Sequence, residues 1–185
     1  MGWLERLFKG PENADPESLA AGMVLTLTQR TNTLIEFLQT EGLAQKTQLH
    51  PEAFKFQCLL LLAFPFYAMM PTEFGLHSER LRKEFVKYLV HAFVGDAEQE
   101  FSQQDMSEIE AEVVSIFHEY NDLWQSASAE GGGEIMRRLG PTALRNILGR
   151  EDMPDTPKVW YRLFLETNNA FKNSIGFGRR FTIVG

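Results

Sequence analysis

The apolar positions of this chain recur mostly at helical spacing. Leu19, Met23, Leu27, Leu34 and Leu38 fall three and four residues apart or at multiples of that step, and Gly42 ends the stripe. Asp15 and Pro16 stand where such a helix begins. The carboxylate can accept from a first-turn amide, and proline has no amide hydrogen to leave unsatisfied. Within it, "TLTQRTNT" (residues 26–33) pulls toward a strand, because four of its eight residues are β-branched threonines. No Gly or Pro there marks a hairpin turn, so a helix is expected. Ser78 to Val94 is the next amphipathic stretch, with Leu81, Phe85, Leu89 and Phe93 on one side and Gly95 past its end. The most regular pattern follows. Met106, Ile109, Val113, Phe117, Tyr120 and Trp124 share one face, while Glu108, Glu112, Glu119 and Asp122 lie opposite or on the flank. Asp155-Thr156-Pro157 repeats the helix-start signal ahead of Trp160, Leu163, Phe164, Thr167 and Phe171.

One stretch has no polar face. Cys58 to Met70, "CLLLLAFPFYAMM", has only the Tyr67 phenol among thirteen residues. As a helix it spans about 20 Å, short of a bilayer core of about 30 Å. Widening it brings in Lys55, Gln57, Thr72 and Glu73, which disfavours an integral membrane protein. A helix apolar on all sides is expected at the centre of a bundle. Pro65 removes one helical hydrogen bond and should bend it. If the bend opens a cavity, Phe64, Phe66, Tyr67, Met69 and Met70 line it, and the protein is a sensor or carrier of a small apolar ligand.

Elsewhere the pattern is interrupted. Gly131–Gly133 reads as a flexible connection unable to hold a helix. Gly140-Pro141 reads as a second break, with Pro141 starting a short helix that stops near Gly149. At the N-terminus, Trp3, Leu4, Leu7 and Phe8 form a small apolar face. So short a segment cannot hold a helix alone and must pack on its own domain, a partner or a lipid interface. The end, "GFGRRFTIVG", reads as a strand or an extended arm. The expected fold is all-α: a single-domain helical bundle of about six helices spanning residues 15–175. A short N-terminal amphipathic arm (1–14) and an extended C-terminal tail (176–185) flank it. At 185 residues such a domain can bury roughly 70% of its unfolded surface and needs no staple.

Charge changes the picture most. The net charge is −7, but residues 96–130 carry ten acids and no Lys or Arg. That segment repels itself unless something answers it. Arg137, Arg138, Arg145 and Arg150 follow closely and could fold back on it, or a basic partner could dock there. The modest C-terminal basic surplus disfavours nucleic acid.

Candidate chemistry is thin. His50, His77, His91 and His118 form no pair at helical spacing, and no metal-ligand set exists. The lone Cys58 and the serines have no base at a recognisable spacing, and no phosphate-binding glycine loop is present. No cofactor is implied. The N-terminus lacks the apolar stretch of a signal peptide, so a cytoplasmic location is expected. The leading expectation is a non-enzymatic protein-interaction module, an adaptor, chaperone or regulatory subunit. It uses the acidic face Glu108, Glu112, Glu119 and Asp122 together with the terminal arms. Homo-oligomerisation and peripheral lipid contact through the N-terminal arm stay open, as does a helical enzyme with dispersed site residues.

Overall fold

The helix that holds the all-apolar run lies at the centre of the molecule. In a computed structural model describing residues 12–96, 101–150 and 156–183, that helix spans Pro51–Phe74 and packs against each of the other five helical segments. Leu60, Leu61, Ala63 and Phe64 are fully buried, which explains why no side of the run is polar.

In chain order the elements are β1 (Glu12–Ala14), α1 (Pro16–Thr40), α2 (Pro51–Phe74), α3 (Ser78–Asp96), α4 (Gln103–Ser128), α5 (Gly132–Leu148), α6 (Pro157–Arg180) and β2 (Phe181–Ile183). The fold is all-α. α2 and α3 run into each other through the 3₁₀ turn Gly75–His77, so a coarser division counts that pair as one helix. The stretch 51–95 is long and apolar enough to cross a membrane by length and composition alone, and 67% of its most apolar window is buried within the protein.

α1 is one continuous helix through its threonine-rich middle. Thr26, Thr28 and Thr31 each donate their hydroxyl to the carbonyl four residues back, at 2.9–3.0 Å. The hydroxyls of these β-branched residues are thereby satisfied inside the helix. Asp15 caps it, accepting from the Ser18 amide at 2.9 Å and the Ser18 hydroxyl at 2.7 Å.

Three expectations from the glycines need correction. Gly131 (φ +97°) is the N-cap of α5, and Gly132 and Gly133 already belong to its first turn. First-turn residues need no intrahelical donor bonds, and the Phe164 ring lies so close that a Cβ on Gly132 would sit 3.1 Å from its Cζ. Gly140-Pro141 does not break the chain either, because α5 runs through it. A Cβ on Gly140 would lie 2.6 Å from Trp160 Cβ, so the glycine lets α5 and α6 approach closely, and that packing holds the helix through the proline. The tail expected from residue 176 is helical up to Arg180. Phe177 of that last stretch packs between Phe66 and Phe181, with ring centroids 5.6 and 5.7 Å away. Only Phe181–Ile183 is extended, and it pairs in parallel with Glu12–Ala14. The two chain ends therefore meet in a small sheet. Trp3, Leu4, Leu7 and Phe8 lie outside the described residues.

Candidate functional site

The acidic face is carried by α4, which turns Val113, Phe117 and Tyr120 inward. Its start is fixed by a reciprocal cap. The Asp105 amide donates to Ser102 Oγ at 3.2 Å, and the Ser102 amide donates to Asp105 Oδ2 at 2.8 Å. The Ser102 contacts hold the Asp105 carboxyl below its ordinary range. With one face anchored by aromatic burial, Glu108, Glu112, Glu119 and Asp122 all stand exposed.

The chain answers only part of this charge. Arg145 of α5 donates to Glu119 Oε1 at 3.1 Å, and Asn146 reaches both Glu119 Oε2 (3.4 Å) and the buried Tyr120 hydroxyl (3.2 Å). Arg138 turns instead to Glu130 and Glu134, both at 2.7 Å, and Arg137 to Glu134 at 3.2 Å. Arg150 donates to the Lys46 carbonyl at 3.4 Å. Among the described residues, Glu108, Glu112 and Asp122 make no ion pair. Glu108 accepts only the amide of Gln104, at 3.0 Å. Glu112 and Glu119 lie on the wall of a polar groove of about 440 Å³ that also holds Gln48, Gln57, Arg145 and Arg150. Gln57 Oε1 in that wall is shut from solvent with no hydrogen-bond partner.

The residues named for an apolar pocket are spread apart. Phe64 is enclosed by Tyr120, Trp124 and Phe171, with ring centroids 5.4–6.3 Å away. Phe66 meets Phe85 and Phe177, Met70 is buried, and Met69 is half-buried. Tyr67 alone of the five borders either groove described here.

That second groove, of about 740 Å³, runs between the first halves of α3 and α4. Its geometry depends on Pro71, one residue past the apolar run. Pro71 has no amide hydrogen, so the Tyr67 carbonyl lacks its helical donor. Arg82 Nε supplies one at 3.0 Å, while its guanidinium lies 4.4 Å from the centre of the Tyr67 ring. The sequence signal for this was present in a proline four residues after Tyr67, but nothing in the sequence named the arginine that would answer it.

Burial holds two potentially nucleophilic groups in their neutral forms. Cys58 is buried, and desolvation pushes its thiol pKa up, so the thiolate is suppressed. Burial likewise raises the Tyr120 phenol. Among the described residues no group of three or more His, Cys, Asp or Glu side chains could hold a metal ion. No protein-family profile, curated protein or solved structure matches this chain.

Proposed function

We propose that the protein is a non-enzymatic interaction module, an adaptor, chaperone or regulatory subunit of the cytoplasm, and that it receives a partner with a basic surface on the outer face of α4. One observation carries the reading. Glu108, Glu112 and Asp122 stand exposed without an ion pair among the described residues, although four arginines follow closely in the chain. Glu119 alone is answered across the helix pair, by Arg145. The uncompensated carboxylates steer a cationic surface toward α4.

The test is capture from the protein's own cells by the full chain, followed by native mass spectrometry. The charge reversal Glu108→Lys/Glu112→Lys/Asp122→Lys should reduce co-purification of a basic chain by roughly tenfold at about 0.15 M salt. Its circular dichroism spectrum should match that of the unmodified protein. Equal capture by both proteins would overturn the reading.

A further inference from the structure

α1, α2 and α3 enclose a further cavity of about 250 Å³. Thr28, Thr31, Asn32 and Ile35 line it from α1, at the spacing of a single helix face. Glu52, Lys55, Phe56 and Leu59 line it from α2 at the same spacing. We propose that this cavity binds a small zwitterion with an apolar side group, of the class of the apolar α-amino acids. The ligand's ammonium meets Glu52, and its carboxylate meets Lys55 and Asn32. The proposal does not rest on the acidic-face reading, because no described residue of α4 lines the cavity.

The floor selects an apolar body. Phe56 and Leu59 are buried, and Phe93 of α3 stacks on Phe56 with ring centroids 4.5 Å apart. Ile35 adds a half-buried aliphatic wall. The volume equals that of about eight waters in the liquid. That suits a molecule the size of leucine or phenylalanine and is small for a drug-sized ligand.

The rim selects both charges. The Thr28 and Thr31 hydroxyl protons are committed to the Val24 and Leu27 carbonyls, at 3.0 and 2.9 Å. Polar recognition therefore falls chiefly to Asn32, Glu52 and Lys55. Glu52 and Lys55 stand one turn apart on α2, a spacing at which opposite charges commonly pair. Lys55 nevertheless makes no ion pair among the described residues and stands exposed, ready for an anion. The Glu52 carboxyl is held below its ordinary range by its own backbone amide, then by His50 and Lys55, so it carries its charge at neutral pH. His50 Nδ1 touches Glu52 Oε2 from a ring that is 72% exposed, and a ligand ammonium can take that place. A simple fatty acid would set a second carboxylate beside Glu52, and a simple amine a second ammonium beside Lys55. A zwitterion answers both.

Isothermal titration of the full chain with L-leucine and with L-phenylalanine tests this. At least one should bind saturably with one site per chain. For leucine as the binder, 4-methylpentanoate lacks the ammonium, isopentylamine lacks the carboxylate and glycine lacks the apolar body. Each should bind at least roughly tenfold more weakly. 3-Phenylpropanoate and phenethylamine serve the same purpose for phenylalanine. Glu52→Gln and Lys55→Gln alter rim side chains and leave the apolar floor in place. Each should weaken amino-acid binding by roughly tenfold, with an unchanged circular dichroism spectrum. No saturable binding of either amino acid up to about 10 mM would overturn the proposal. So would equal affinity for the one-charge analogues, or binding that both variants leave unchanged.

Discussion

Arg82 shows how one side chain compensates for a backbone defect. Pro71 strips the Tyr67 carbonyl of its helical donor, and a planar guanidinium both donates to that oxygen and stacks on the same residue's ring. Lysine cannot do both. Arg82→Lys should therefore cost about 1–2 kcal/mol in urea unfolding, close to the value for Arg82→Ala. Gly140 makes the opposite point, since its lack of a side chain is what matters. Gly140→Ala would press a methyl against Trp160 Cβ, Cγ and Cα and should destabilise by about 1–3 kcal/mol. A change below about 0.5 kcal/mol would mean that α5 and α6 are not so closely packed.

The helices depend on local satisfaction of polar groups more than on propensity. α1 tolerates its threonines because each buried or half-buried hydroxyl finds a carbonyl one turn back. Its cap predicts a pH dependence. The Ser18 amide, then the Ser18 hydroxyl, hold the Asp15 carboxyl below its ordinary value of 3.8. A carboxyl depressed on folding contributes fully above its unfolded value and loses that contribution as pH falls through its folded value. The melting temperature of Asp15→Ala should lie below that of the unmodified protein at neutral pH. The gap should narrow between roughly pH 5 and pH 2. A constant gap would assign the effect to something other than the charged cap. Between α4 and α5, the Glu119–Arg145 pair is about 40% exposed at both ends, at 42% and 39%. A double-mutant cycle should give only about 0.2–1 kcal/mol of coupling.

At the scale of the whole molecule, the carboxylates of α4 repel one another while contributing little to packing. The triple reversal Glu108→Lys/Glu112→Lys/Asp122→Lys should leave the melting temperature within a few degrees of the original, or raise it, while partner capture falls. The termini behave differently. β1 and β2 join both ends of the described chain in one parallel pair, and Phe181 is buried against Phe177. Phe181→Ala should cost about 3 kcal/mol, with early loss of amide protection in Glu12–Ala14 measured by hydrogen exchange. If that protection survives, the ladder does not depend on the Phe181 anchor.

Much of this architecture was legible in the sequence because helical periodicity is local. The stripes at Leu19–Leu38 and Met106–Trp124, the Asp15 cap and the central place of the apolar run all follow from spacing and burial along one element. What the sequence misread were its glycines and prolines. Gly132, Gly140, Pro141 and Gly178 look like breakers, yet each lies within a helix that tertiary packing supports. A Cβ on Gly140 or Gly178 would collide with Trp160 or Glu73. Whether a glycine ends a helix or admits a neighbour depends on residues distant in the chain. The same holds for the functional surfaces. The sequence determined that α4 carries an acidic face and that residues 3–9 include the apolar Trp3, Leu4, Leu7 and Phe8. Only the tertiary structure decided that Arg145 answers Glu119 and no other acid of that face. Only it placed Glu110, Tyr67 and Arg82 around one groove, because helices far apart in sequence had to be brought side by side before their charges and gaps could meet.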